Sequence, residues 1–173
     1  MTNWDSRLLD YIKSAVEEHP FWGKYIDMVL SNNSVSFHLA IFLEPYLKYI
    51  LEGKKTVESR FSMRLCPPYK SVQKGDIIIL KKSGGPVIGL CRISQVWFYE
   101  LDPRSWKDVK KKFSKAICAN DTAFWNEREN ALFATLMKIT DVHKVAPYPC
   151  RKRDRRGWVI LNDPFRESYL FKG

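Results

Sequence analysis

Apolar residues recur at helical spacing near the start of the chain. One stripe covers residues 8–16 and a second covers residues 21–30, with Pro20 between them. Because proline interrupts a helix, this pattern predicts two short helices rather than one long one. We therefore expect residues 1–33 to form a helical extension that packs on the rest of the protein.

The pattern then changes to short apolar or alternating runs, which predict β-strands. The predicted strands cover residues 35–43, 56–61, 76–82, 87–99, 132–145 and 158–161. Helical patterns separate some of them, at residues 44–52, 102–118 and 120–130. Short strands with interspersed helices predict an α+β fold: a small mixed β-barrel with peripheral helices. This domain is expected to span residues 34–173.

The segment GKKTVESR, residues 53–60, has the densest local mixture of charges at a predicted helix-to-strand corner. Gly53 suits the left-handed position just past a helix end. On the strand that follows, Glu58 and Arg60 point to the same face, and Lys55 at the bend can reach that face. The residues allow two interpretations. One is a surface ion pair, which contributes about 0–1 kcal/mol. The other is a nucleotide site, where the cations bind phosphate and the glutamate accepts from a base amine or acts as a general base.

The spacing Gly-x-Lys-x-x-Glu-x-Arg, filled by Gly53, Lys55, Glu58 and Arg60, resembles the signature of the ASCH domain, a branch of the PUA-like superfamily. The resemblance extends over roughly residues 35–162. The flanking segments that resemble family strands, in the same order, are residues 38–43, 74–80 and 157–161. The resemblance implies a PUA-like barrel in which Lys55, Glu58 and Arg60 face a cleft.

Some small proteins of this family are amidohydrolases that act on acetylated cytidine. The resemblance matches their catalytic lysine to Lys55, but Glu58 stands where they have threonine. Glu127 and Glu129 lie in a plausible segment for their catalytic glutamate. The departure at Glu58 favours RNA or nucleotide binding. If the protein is an enzyme, an amidohydrolase or a ribonuclease, then Lys55 and Glu58 are the candidate catalytic pair.

A second candidate binding segment is the basic run that precedes Trp158. Its cations are Arg151, Lys152, Arg153, Arg155 and Arg156. Like charges so close together repel one another, so the run is either attended by an anion or simply solvated. Trp158 can stack on a base, which is worth about 1–3 kcal/mol, or it can open the last strand as a core residue. The expected ligand-binding set is therefore Lys54, Lys55, Glu58 and Arg60, together with these cations and Trp158.

Charge is unevenly distributed along the chain. The formal net charge is +10, yet residues 1–33 hold three cations against five carboxylates, which leaves +12 on the rest. A basic body favours a polyanionic partner, RNA first and DNA second. The lysines between residues 107 and 115 predict an ordinary solvent-exposed helix face. The acidic helices support a further hypothesis, an adaptor that binds a protein partner through residues 1–33.

Other features argue against several classes of protein. The four cysteines, Cys66, Cys91, Cys118 and Cys150, are far apart and form no Cys-x-x-Cys pair, so we expect neither a metal nor a cofactor. No apolar run approaches the roughly 18 residues of a membrane helix, and the first residues lack the layout of a signal peptide. We therefore expect a cytoplasmic protein that does not enter a membrane.

Overall fold

The computed structural model describes residues 3–150 and 156–162, with side chains from residue 6 onward. The helices are α1 (Asn3–Val16), α2 (Trp22–Asn32), α3 (Tyr46–Leu51), α4 (Pro103–Phe113) and α5 (Thr122–Asn126). The strands are β1 (Phe37–Phe42), β2 (Val57–Ser62), β3 (Ile77–Lys82), β4 (Val87–Glu100), β5 (Phe133–Tyr148) and β6 (Trp158–Asn162).

The strands form one sheet in the order β2-β5-β4-β3-β1-β6. Strands β1 and β3 are parallel, and every other neighbouring pair is antiparallel. The sheet curls into a half-barrel, which leaves β2 and β6 as its two outer strands. The predicted fold class, an α+β PUA-like barrel with peripheral helices, is confirmed.

Irregular pairing between the two longest strands accompanies the curl of the sheet. The register between β4 and β5 shifts at three places, the first between Val87 and Gly89. A Cβ added to Gly89 would lie 2.8 Å from the carbonyl oxygen of His143, so only glycine permits the two backbones to approach this closely. The strand pairing is correspondingly irregular next to Gly89.

The two N-terminal helices share a core with the central strands. Leu8, Ile12, Trp22 and Ile26 are buried in one cluster with side chains of β1 and β3 such as Leu39. This burial removes the apolar face of both helices from water, which is the main source of stability for short helices. The division of the chain after residue 33 stays a prediction.

Arg92 of β4 fixes α2 against the sheet from outside that core. Its guanidinium lies 5.1 Å and 5.2 Å from the ring centroids of Phe21 and Tyr25. It also forms an ion pair with Asp141 at 2.8 Å. The indole of Trp22 donates to the carbonyl of Asp141 at 3.0 Å. Three aromatic residues, one cation and Asp141 therefore tie α2 and the residue before it to β4 and β5.

Two predicted helices are shorter than the sequence suggested. The prediction carried α4 to residue 118, but the helix ends at Phe113, and α5 ends at Asn126 rather than near residue 130. After α4 the carbonyl of Ala116 accepts from the backbone N–H groups of Thr56 and Val57. Tertiary hydrogen bonds thus occupy the Ala116 carbonyl in the segment after α4, and no local pattern reveals this.

Candidate functional site

Arg60 of β2 reaches across the open side of the half-barrel. Its Nη2 donates to the carbonyl of Ile41 in β1 at 2.9 Å, and its Nη1 donates to the carbonyl of Gly157, just before β6, at 3.2 Å. The guanidinium also lies 5.0 Å from the ring centroid of Phe42 and 5.3 Å from that of Trp158. We call the gap between β2 and the β1–β6 end of the sheet the seam, and Arg60 bridges it.

Glu58 joins Arg60 to Lys55. One carboxylate oxygen accepts from Nε of Arg60 at 2.8 Å, and the other lies 3.3 Å from Nζ of Lys55. Both the glutamate and the lysine side chains are about one-twentieth exposed or less, at 5% and 3%. The cluster is therefore a Lys–Glu–Arg triad in which the Lys–Glu pair is buried and Arg60 is partly exposed, so the alternative of a surface ion pair is wrong.

Lys55 has a protein acceptor for each of its three ammonium protons. Besides Glu58, Nζ donates to the carbonyl of Val57 at 2.8 Å and to that of Ile117 at 3.3 Å. Burial lowers the pKa of Lys55 below its ordinary value, and the Glu58 carboxylate opposes that shift. These contacts connect the corner to the segment after α4, so the lysine holds Glu58 in place.

The backbone of the corner determines which lysine points inward. Gly53 has φ of +73°, the left-handed conformation that the sequence predicted for it. The backbone N–H groups of Lys54 and Lys55 then both donate to the carbonyl of Tyr49. Lys54 turns outward, is 63% exposed and pairs with Glu52 at 2.7 Å. It therefore lies apart from the triad.

Two pockets border the seam, and Arg60 lines both. The first, about 200 Å³, is called the α3 pocket. Its lining includes Tyr46, Lys55, Glu58, Arg60, Phe124 and Arg128. The second, about 180 Å³, is called the β6 pocket. Its lining includes Arg60, Phe61, Cys66, Tyr69, Thr135 and Trp158. The two small cavities are thus neighbours that share Arg60 and Phe61 in their linings.

Arg128 is a third cation at the α3 pocket, beside Lys55 and Arg60, that sequence reasoning missed. Its guanidinium lies 3.8 Å from the ring centroid of Phe124 and donates to the Phe124 carbonyl at 2.7 Å. The sequence predicted a helix over residues 120–130, and in the structure Asp121 is the N-cap of α5. That this helix covers the corner depends on tertiary packing, so its role at the pocket has no sequence signal.

Trp158 is mainly a core residue. It is 5% exposed, and its indole N–H donates to Nδ1 of His38 at 3.1 Å. Because Nδ1 accepts this bond, Nε2 of His38 carries the proton and donates to Asp76 at 2.9 Å. One surface of Trp158 still lines the β6 pocket. The structure therefore favours the core interpretation and leaves an aromatic wall for a ligand.

Only the last cation of the basic run before Trp158 lies within the described residues. Arg151, Lys152, Arg153 and Arg155 lie outside the described residues. Arg156 is described and is exposed. Their proposed contact with a ligand stays a prediction.

The candidate glutamates for amidohydrolysis do not line the α3 pocket. The side chain of Glu127 is 71% exposed and pairs with Arg128 at 3.1 Å. Glu129 lines a separate hollow of about 260 Å³ between α4 and α5, with Lys107 and Lys110. Neither of these two glutamates therefore lies beside Lys55 and Glu58 in the α3 pocket.

Two further kinds of feature are absent from the part of the chain that the structure describes. Within residues 3–150 and 156–162, no three His, Cys, Asp or Glu side chains gather as metal ligands would. None of the helices that the structure describes is long and apolar enough to cross a membrane.

The curled sheet, the peripheral helices and the triad define a PUA-like domain. Residues 41–149 match the ASCH domain family, and the chain belongs to that family. Among curated proteins, none is similar enough in sequence to count as a relative.

Solved structures of ASCH proteins are similar to this one. The ASCH protein from Zymomonas mobilis has a TM-score of 0.59 at 14% identity, over 79% of this chain and 94% of that one. The ASCH domain from Lactobacillus crispatus JV V101 has a TM-score of 0.48 at 17% identity, over 80% of this chain and 94% of that one. At such identities, the likeness to the first protein shows the fold alone.

Proposed function

We propose that this protein binds RNA or a nucleotide at the seam, with Arg60 at the centre of the site. The observation that carries the proposal is the position of Arg60, which lines both pockets and whose guanidinium is held by Glu58 at 2.8 Å. A cation already fixed in place loses little conformational freedom when a ligand arrives, and this favours binding.

Arg60 keeps donors for a ligand although it bridges the seam. Of the guanidinium's five N–H groups, three donate to Glu58, Ile41 and Gly157 within the described part of the chain. One N–H therefore remains on each terminal nitrogen. The side chain is 22% exposed, so these donors are within reach of a phosphate or a base edge.

The α3 pocket offers complementary chemistry around Arg60. Arg128 adds a second guanidinium, while Tyr46 and Phe124 add aromatic walls. Aromatic side chains and arginine planes are the groups on which unpaired bases stack. The net charge of +10 on the whole chain adds long-range attraction for a polyanion. Together these features suit a single-stranded ribonucleotide segment better than an uncharged small molecule.

In this proposal Lys55 positions Glu58, and Glu58 positions Arg60. The three protein acceptors of the Lys55 ammonium leave it no donor for a ligand. Arg60 and Arg128 are then the groups that touch the ligand directly, and Lys54 contributes only general positive charge. The basic residues 151–156 are proposed to extend the contact along a longer strand.

Fluorescence anisotropy with a labelled single-stranded RNA hexamer tests the proposal. Arg128→Gln is the main variant because Arg128 lines the pocket outside the triad. We expect it to weaken binding about tenfold to a hundredfold, the effect of losing a charged hydrogen bond. Lys107→Gln on α4 is the matched control for charge and should bind nearly as wild type. We expect affinity to fall with salt, with a slope of about −0.7 per phosphate contact. An RNA affinity that changes neither with salt concentration nor with Arg128→Gln would overturn the proposal.

The same assay with a DNA hexamer of matching sequence separates the two nucleic acids. Tighter binding to RNA supports a site that senses the ribose 2′-hydroxyl. Equal binding of RNA and DNA would replace the proposal with a general single-strand binder.

Hydrolysis is a second candidate function. It is favoured by one observation: Lys55, whose pKa is lowered by burial, and Glu58 both line the α3 pocket. Acetylcytidine and short RNAs should be incubated with wild type and with Glu58→Gln. Turnover that is lost in the variant supports an enzyme. If wild type turns over neither acetylcytidine nor RNA, this second function is wrong, and the binding proposal is unaffected.

A further inference from the structure

The β6 pocket contains a buried hydroxyl group that has no hydrogen-bond partner among the described residues. Thr135 is 1% exposed and lines this pocket. Its hydroxyl forms no hydrogen bond with any of the residues that the structure describes. Buried polar side chains are nearly always hydrogen-bonded to protein, water or ligand. A hydroxyl in this position is therefore ready to bond to an occupant of the pocket.

Thr135 and Arg60 lie on the same face of the sheet. They are directly paired in the antiparallel register of β2 and β5, which places their side chains side by side. Arg60 also lines both the β6 pocket and the α3 pocket. Whatever occupies the β6 pocket thus meets the Thr135 hydroxyl and the Arg60 guanidinium together.

Aromatic rings and prolines make up much of the remaining wall of the β6 pocket. They are Phe61, Pro67, Pro68, Tyr69 and Trp158, with Ser62, Cys66 and Gly157 beside them. Tyr69 is held firmly, since its ring lies 5.0 Å from the ring of Phe133 and 5.6 Å from that of Phe98. A small cavity with aromatic walls and one or two directed polar groups suits a planar heterocycle that carries hydrogen-bonding edges. A nucleobase has this combination, whereas a bare phosphate would leave the aromatic walls unused.

We propose that the β6 pocket holds the base of the nucleotide next to the one in the α3 pocket. The phosphate that links the two nucleotides lies against Arg60, and the Thr135 hydroxyl bonds to an edge of the second base. This inference rests on the proposed function and makes it specific. The minimal ligand becomes a dinucleotide rather than a mononucleotide.

Titration calorimetry with a nucleoside monophosphate and with the matching dinucleotide tests the inference. Wild type should bind the dinucleotide at least about tenfold more tightly than the monophosphate. Thr135→Val removes only the hydroxyl and should reduce dinucleotide affinity about threefold to tenfold, with monophosphate affinity unchanged. Thr135→Ser keeps the hydroxyl and should bind as wild type. Thr140→Val, on the same strand but outside both pockets, is the matched control and should have no effect.

Thermal unfolding separates a ligand-binding role for Thr135 from a structural one. Since the hydroxyl has no partner among the described residues, Thr135→Val should leave the melting temperature unchanged or raise it. A clear drop in the melting temperature would show a structural hydroxyl and overturn the inference. Dinucleotide affinity that Thr135→Val leaves intact would also overturn it, while hexamer binding that still depends on Arg128 would preserve the proposed function. If monophosphate, dinucleotide and hexamer all fail to bind, both proposals fall.

Discussion

Nε of Arg60 lies 2.8 Å from a carboxylate oxygen of Glu58, two residues earlier on the same strand. This pair orients the guanidinium so that its terminal nitrogens reach Ile41 and Gly157 on the far side of the seam. The alternation of side chains along a strand places the two residues on one face, and the hydrogen bond fixes their relative geometry. The contact therefore connects the local sequence motif to the closure of the half-barrel.

Replacing Arg60 with lysine should weaken both the fold and the site. Lysine keeps the charge but has no planar fork, so it cannot contact Glu58, Ile41 and Gly157 together. We expect a loss of about 1–3 kcal/mol in the free energy of unfolding, measured by urea denaturation. Lys107→Arg, the reverse exchange on the exposed face of α4, is the control and should stay within about 0.5 kcal/mol of wild type. Unchanged stability of Arg60→Lys would mean that the seam closes without the bridge.

Lys55→Met should be among the most destabilising substitutions at the corner. It removes a buried cation that is 3.3 Å from Glu58 and leaves the carbonyls of Val57 and Ile117 without this donor. Breaking a buried ion pair from one side costs about 3–5 kcal/mol. Chemical denaturation of Lys55→Met and of its exposed neighbour variant Lys54→Met measures the contrast. If the two variants were equally stable, the triad would have no structural role.

Acidification should loosen the contact between the N-terminal helices and the sheet. The rings of His19 and His143 lie 4.4 Å apart, and Nδ1 of His19 accepts the backbone N–H groups of Phe21 and Trp22. Burial lowers the pKa of His143 from its ordinary value of 6.5, and the nearby His19 adds to this effect. The folded state thus binds a proton at His143 less readily than the unfolded chain does. Stability is then fully present above pH 6.5 and is lost as the pH falls through the lower, folded-state pKa.

Melting temperatures between pH 7.5 and pH 5 measure this loss. His143→Gln removes the titrating ring and should show a shallower decline with falling pH than wild type. Identical slopes for the two proteins would show that the decline has another source.

Arg92→Gln should release α2 from the sheet. The substitution removes the cation that lies over Phe21 and Tyr25 and pairs with Asp141. We expect a loss of about 1–3 kcal/mol in stability. Limited proteolysis should cleave faster within residues 17–33, with Arg104→Gln on exposed α4 as the control. Protection equal to wild type would show that apolar packing alone holds α2.

The parts of the site that could be predicted from sequence follow local rules. The left-handed Gly53 and the common face of Glu58 and Arg60 depend on residues only a few positions apart. Hydrophobic periodicity predicted the strands because it also depends on residues that are close in sequence. The sequence could not decide whether Trp158 is a core residue or a ligand contact. Its hydrogen-bond partner, His38, lies 120 residues away along the chain.

The parts that could not be predicted depend on how the sheet closes. Arg60 bonds to a carbonyl 97 residues away, and Lys55 to one 62 residues away. Arg128 and Thr135 reach the pockets only because α5 and β5 pack beside β2. The shared core also changes how residues 1–33 can be studied. Their deletion would expose β1 and β3, so a protein partner for these helices must be sought with surface variants of the full chain.

The central claim is that nucleic acid binds at the seam rather than on the lysine-rich face of α4. Amide chemical shifts of the full-length protein, followed by NMR during titration with a single-stranded RNA hexamer, test it most directly. The account predicts that the perturbed amides cluster at residues 41–43, 58–62 and 124–128, around Arg60. Perturbations confined to residues 104–115, or no perturbation at low salt, would contradict it.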